Sequence, residues 1–500
     1  MPPKRTHQEP TELTMAGLSK SKIVAHLQCP KRLWLQVNKP ELQEVDSAQQ
    51  ARMDAGNVVG DLARQQYPEG VLIDGENLSQ AIKDTAIIMA ERKKQPVFEA
   101  TFWQDGVLVR NDLLLPEKGG YHLVEVKSAT QVKDYYLTDV ALQTYVTEQA
   151  GVSLNRISVA HIDNTFVYPG NEDYSGLLKQ VDVTKEARDQ IKNVPGWIKS
   201  AQATLKGSEP DIAVGPQCSD PFDCPFIDYC HPAEDPDAFP VELLPHSHKL
   251  APVLRSEGYS DIRDIPKGRL QTPKHLRVWK STLSGKRILE KPVREAMAAL
   301  TFPRYFLDFE TISFAAPIWA GTRPYQQVPF QWSCHIQSRT GTLKHQEWLA
   351  EGRIDPRRGF VESLLAMIGP KGSILAYNAS FERKRLEEMA EAFPEYAEAL
   401  LGLVERIEDL LGITRDHYYH PDMRGSWSIK QVLPTIAPEL SYKALNVGDG
   451  GMAQEAFLSI LSPETTAENK ARLRQDLLMY CQLDTYAMVE MARFFEGKRR

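Results

Sequence analysis

The chain has 500 residues and a formal net charge of −7, with 42% hydrophobic and 25% charged residues, so ordinary globular cores are possible. No stretch holds the roughly 18 uncharged apolar residues of a membrane span. The polar first 16 or so residues lack the apolar region of a secretion signal, so a cytoplasmic chain with a disordered leader over 1–17 is expected. The acidic balance argues only weakly against a nucleic-acid partner, because metal sites concentrate carboxylates and local basic patches survive in an acidic total.

In chain order, residues 18–232 read as a mixed domain. Helices are expected near Ser21–Gln28 and Asp54–Gln66, then strands at Val97–Trp103, Val107–Leu115 and His122–Lys127. A helix near Leu137–Gln149 and a strand near Ile157–Val167 follow. Residues 233–300, punctuated by Pro240, Pro245, Gly258 and Pro266, read as a helical linker, either a spacer or a nucleic-acid contact. Residues 301–500 open with a strand at Tyr305–Glu310 and continue with strands at Phe330–Ile336, Leu343–Leu349 and Ser373–Tyr377. They close with a helix over Glu464–Phe495. Both outer parts fit an α/β fold of sheets covered by helices.

The first constellation is Asp112, Glu125 and Lys127. Strand alternation points Glu125 and Lys127 to one side, and the turn at Gly119-Gly120 pairs that strand with the one carrying Asp112. Two carboxylates suit Mg²⁺ or Mn²⁺, and the lysine is placed to orient a nucleophile. A cross-strand ion pair explains the same residues equally well.

Cys218, Cys224 and Cys230 crowd one irregular segment, and Cys29, at the end of the first helix, is the fourth thiol needed for a four-cysteine site. The two ends are 189 positions apart (218 − 29), so closing them stabilises the fold by several kcal/mol, by analogy with long disulfide loops. Zinc is the competing metal, although its usual closely spaced cysteine pairs are absent. Cys334 and Cys481 sit in apolar contexts and read as buried core residues.

Asp112, Glu125-Val126-Lys127 and Gln143, with one early and three late cysteines, resemble the RecB-type branch of the PD-(D/E)XK nucleases. Within it the chain is similar to the iron–sulfur exonucleases of CRISPR systems and of AddB-type repair subunits. The resemblance implies a restriction-endonuclease-like fold, a metal on Asp112 and Glu125, catalysis by Lys127 with Gln143 in the site, and a four-iron four-sulfur cluster on Cys29, Cys218, Cys224 and Cys230.

The second constellation begins with Asp308 and Glu310, which share a strand face with Phe306 while Tyr305, Leu307 and Phe309 take the other. Two carboxylates on an apolar strand repel each other and cost desolvation, which a cation relieves. Asp484 falls on the apolar stripe of the last helix, four residues after Tyr480. Tyr418 with Asp422 repeats the spacing, but Pro421 opposes a helix there. Between them, Asn378 to Glu382 read as a turn into a helix, with Glu382 in the first turn.

In this order the residues resemble the DnaQ-like, or DEDD, exonucleases of the RNase H-like fold. The resemblance implies two metals about 4 Å apart on Asp308, Glu310, Glu382 and Asp484, with Tyr480 positioning the water that removes 3′ nucleotides. The pairing of both parts is similar to a bacterial family of RecB-like nucleases fused to a DnaQ-like domain. The expectation is a metal-dependent nuclease acting on DNA. The alternative is an RNA-processing exonuclease whose first domain only binds nucleic acid.

Overall fold

The computed structural model describes residues 17–44, 47–91, 94–231 and 237–498. Apart from Gly17, the expected leader lies outside them. The chain divides into two compact units. One takes residues up to Ala233 together with Phe314–Tyr325; the other takes Glu234–Ser313 and residues from Gln326 onward.

The first unit is built on a seven-stranded sheet. Its main strands are β1 (Val97–Gln104), β2 (Val107–Glu117), β3 (Gly120–Lys127), β4 (Leu154–Ile162) and β5 (Leu178–Asp182), adjacent in that order. Short strands at Val71–Leu72 and Leu18–Ser19 pair with β1 and β2. β1 to β3 are antiparallel, whereas β3 and β4 run parallel. As a central strand, β3 is buried on both faces. Tyr121 and Leu123 join one apolar cluster, and Val124 joins another. Helix α1 (Lys20–Gln28) is capped by Ser19, whose Oγ accepts from Lys22 N. Cys29 forms the joint to α2 (Pro30–Asn38), where Pro30 opens the helix. Helix α3 (Asp134–Gln149) lays Val140, Leu142 and Val146 onto the Leu123 face. The strand expected over Ile157–Val167 ends at Ile162, because the Asp163 carboxylate accepts from Thr165 N and turns the chain.

The second unit has a five-stranded mixed sheet: β6 (Arg304–Ile312), β7 (Val328–Gln337), β8 (Leu343–Leu349), β9 (Ile374–Ala376) and β10 (Ile407–Asp409), in the order β8-β7-β6-β9-β10. β6 carries the expected alternation. Tyr305, Leu307 and Phe309 enter a core with Phe360, Leu386 and Met389, and Phe306 enters the opposite one with Met488 and Phe495. Helices α4 (Ser380–Ala392), α5 (Ile429–Ile436) and α6 (Ala467–Phe495) complete the framework used below.

The expected helical linker, described over residues 237–300, packs into the core of the second unit. Val241, Leu254, Ile262, Val278 and Val293 are buried in one cluster with Phe306, Tyr418 and Phe495. Its helices are too short to be stable alone and depend on this packing. Arg304, 2% exposed, ties it down by donating to Met297 O and pairing with Glu496 at 2.6 Å.

One turn makes a sharp test of this packing. Gly372 has φ +99°, and a Cβ there would fall on the Pro303 carbonyl oxygen. Gly372→Ala is therefore expected to cost about 2–4 kcal/mol in urea unfolding. An unchanged midpoint would show that the turn yields without cost.

Candidate metal centres

In the first unit, β2, β3, α3 and α1 converge. Glu125 is 1% exposed. Its Oε1 accepts from Lys127 Nζ and from Lys20 Nζ, each at 2.6 Å, and its Oε2 accepts from Gln143 Nε2 at 2.7 Å. Lys127 also donates to Asp139 Oδ2 at 2.7 Å. Asp112 Oδ2 accepts from Val126 N at 2.7 Å, across the β2–β3 pairing. All four expected residues, Asp112, Glu125, Lys127 and Gln143, are thus brought together. Asp139 Oδ1 and Gln143 Oε1 are buried without hydrogen-bond partners, acceptors that a cation or water would satisfy.

Burial, with Glu125 beside it, pushes the Asp112 carboxyl up to about 8. Burial also opposes ionisation of Glu125, but Lys127 and Lys20 outweigh it and hold the carboxylate far below its usual range. The mirror effect appears on Lys20: burial lowers it, yet Asp139 and Glu125 carry it up to about 12.

Three contributors went unforeseen. Asp139 stands one turn before Gln143 on the same face of α3, a spacing visible in the sequence. Lys20 enters from the start of α1, remote in sequence from β3. Tyr325, from the Phe314–Tyr325 excursion, donates to the Ser128 carbonyl next to Lys127, and no local signal announces that contact.

The four expected cysteines are all free thiols and line one cavity with Lys31, Arg32 and Leu35. Cys224 N donates to Cys218 O at 2.8 Å, which folds the late segment around the cavity. Burial pushes the Cys224 and Cys230 thiols up, with the neighbouring cysteines adding to it and Arg32 or Lys31 opposing it.

In the second unit, Asp308 and Glu310 project from β6 opposite Ser333 and Gln331 of β7. Glu382 comes from the first turn of α4, entered through Asn378 in a left-handed conformation, φ +77°. The Asp409 carboxylate fixes that turn by accepting from Asn378 N and Ala379 N. Tyr480 and Asp484 come from α6, and Asp484 Oδ1 accepts from Tyr442 OH at 2.5 Å. The acids form one electrostatic group. Burial and then Asp484 push Asp308 well up; burial, Asp308 and Asp484 do the same to Glu310; burial and Asp308 do so to Glu382. Burial raises Asp484 to about 6, moderated by the Tyr442 hydroxyl and Lys430. Among the described residues none of the four carboxylates forms an ion pair, and Glu382 Oε2 is buried without a partner. Tyr418, by contrast, is a fully buried core residue and Asp422 is exposed, so that rival pair makes no site.

Tyr442, Lys430 and Cys481 were missed. Cys481, expected to be an ordinary core thiol, donates to Asp308 Oδ2 at 3.4 Å. Its place three residues before Asp484 on one helix face was the available signal.

The profile of a domain of unknown function (DUF2779) matches residues 305–428, which include Asp308, Glu310 and Glu382 but not Tyr480 or Asp484. The chain is similar to the uncharacterized protein MG366 homolog of Mycoplasma pneumoniae, 29% identical over 216 residues, 39% of this chain and 32% of that protein. It is also similar to the uncharacterized protein UU173 of Ureaplasma parvum, 28% identical over 224 residues, 40% and 32% of the two chains. The chain thus spans about a third of the length of these curated relatives. A family B DNA polymerase from the archaeon Pyrobaculum calidifontis is weakly similar in structure, with TM-score 0.24 and 16% identity over 38% of this chain and 24% of that one. A likeness so slight carries no weight for function.

Proposed function

We propose that the chain is a metal-dependent nuclease whose principal active site is the acidic group of the second unit, acting as a 3′–5′ exonuclease on DNA. One observation carries this reading. Asp308, Glu310, Glu382 and Asp484 come from three separate elements into one electrostatic group that, among the described residues, holds no ion-paired cation, an arrangement that costs free energy unless the acids stay protonated or divalent ions are bound. Bound Mg²⁺ or Mn²⁺ supplies an activated water and neutralises phosphate charge. The four carboxylates hold the ions. Tyr480, beside Asp484, orients the water through its hydroxyl, and Lys430, 5.5 Å from the Tyr480 ring, faces the incoming phosphate. This is the chemistry of the RNase H-like, DnaQ-type reading.

The first unit supports a second, restriction-endonuclease-like nuclease site, with Asp112 and Glu125 as ligands and Lys127 and Gln143 beside them. A non-catalytic, nucleic-acid-gripping role is favoured by Lys20, whose ammonium already lies 2.6 Å from Glu125. The cysteine cavity fits an iron–sulfur cluster on Cys29, Cys218, Cys224 and Cys230. Four thiols converge there beside the cations Lys31 and Arg32, and the wide spacing of the cysteines in the sequence lacks the close pairs usual for structural zinc.

End-labelled single-stranded DNA and RNA, digested with Mn²⁺ by wild type, Asp308→Ala and Lys127→Ala, test the proposal. We expect stepwise 3′ shortening of DNA that EDTA stops and Asp308→Ala removes. Lys127→Ala activity equal to wild type would reduce the first unit to binding. Full activity in Asp308→Ala would refute the central claim, and preference for RNA would select the alternative substrate.

A further inference from the structure

Cys481 follows Tyr480 on α6 and faces the same pocket as Asp484. Its Sγ, one Asp308 oxygen and one Glu310 oxygen all lie within 4.8 Å of one another. Among the described residues, no other three His, Cys, Asp or Glu side chains present such a set. The thiol is fully buried, so bulk solvent does not compete for it. Independently, Glu382 Oε2, on a residue 2% exposed, lacks any partner and lies in the field of Asp308. Beside two oxygens and a sulfur that already lie together, the neighbouring acid Glu382 thus keeps, among the described residues, a buried oxygen without a hydrogen-bond partner.

We propose that Cys481 is a sulfur ligand of this pocket, and that it lets a thiophilic divalent cation, of which Zn²⁺ is the representative, displace the Mg²⁺ or Mn²⁺ of catalysis. The inference rests on the reading of the acidic group as a cation site. Hard cations are satisfied by the carboxylates and leave the thiol protonated. A softer ion gains a metal–sulfur bond, with the thiol proton passing to solvent and no change of oxidation state. The plain alternative is a core cysteine that only hydrogen-bonds Asp308. Micromolar zinc would then inhibit the enzyme no more than it inhibits any carboxylate site.

The test is Mn²⁺ paramagnetic resonance on the full chain, titrated with Zn²⁺ or with Mg²⁺. With free Zn²⁺ held by a metal buffer, zinc taken up by the other cysteines does not shift the titration. Wild type should release its Asp308-dependent Mn²⁺ at roughly tenfold lower Zn²⁺ than Cys481→Ser or Cys481→Ala, with Mg²⁺ competition unchanged within about twofold. Equal Zn²⁺ competition in all three proteins, with Mn²⁺ binding retained, overturns the sulfur ligand alone. Mn²⁺ binding indifferent to Asp308→Asn overturns the cation site and the inference together.

Discussion

Replacing Asp484 by Asn should make the metal-free protein more stable at pH 8 while removing Mn²⁺-dependent hydrolysis. Burial raises the Asp484 carboxyl from its ordinary 3.8 to about 6. Below 3.8 it is protonated in both folded and unfolded chains and costs nothing. As the pH climbs through 6, the folded protein must hold a charge that the unfolded chain carries freely, so stability falls across this window. At about 1.4 kcal/mol per pH unit between the two values, the loss is about 3 kcal/mol, which Asn avoids while keeping an oxygen for Tyr442. Calorimetry from pH 4 to 8 should show the metal-free second unit losing roughly 5–10 °C in wild type and less in the variant. Mn²⁺ should restore wild type only, because the ion takes the place of the missing counter-charge. Wild-type stability that holds level or rises over this range would show that the acids are paired in solution and the pocket is not a cation site.

The second large effect concerns the cysteines. Wild-type protein should be brown and contain about four iron and four sulfide per chain. Cys29→Ser should lose the iron and lower the first unit's unfolding midpoint by roughly 10 °C. Cys29 sits between α1 and α2, whereas Cys218, Cys224 and Cys230 follow the whole sheet, so a group bound by all four would close a loop of nearly two hundred residues. By the disulfide analogy such closure is worth about 5 kcal/mol. With a cluster bound, Lys31 and Arg32 at the cavity would offset the charge of four thiolates. A colourless protein containing zinc, or iron retained in Cys29→Ser, would replace the cluster with another metal or another ligand set.

What was legible in the sequence was whatever depends on local periodicity. The two faces of β6 followed from alternation, which put Asp308 and Glu310 beside Phe306 and away from Leu307. The helix stripe put Asp484 inward, and the turn at Gly119-Gly120 paired the strand of Asp112 with that of Glu125. The same rule, applied more strictly, would have yielded Asp139 and Cys481, one turn from residues already chosen. Lys20 and Tyr442 were hidden for a different reason. Each enters from an element remote in sequence, and nothing local distinguishes it from a surface lysine or a loop tyrosine. The supposed linker misled because proline and glycine mark where helices stop, not whether their apolar faces find a core.

The excursion of Phe314–Tyr325 bears on where the chain can be cut. It leaves the second unit after β6, gives Ala315 and Ala316 to a cluster with Val59, Ile162 and Leu177, accepts at the Thr322 carbonyl from Tyr168 N, donates from Gly321 N to the Tyr168 carbonyl, and returns before β7. A fragment ending at residue 233 would lack those pieces, so cutting between the two units strips the cover from Val59, Ile162 and Leu177, which are buried in the whole chain.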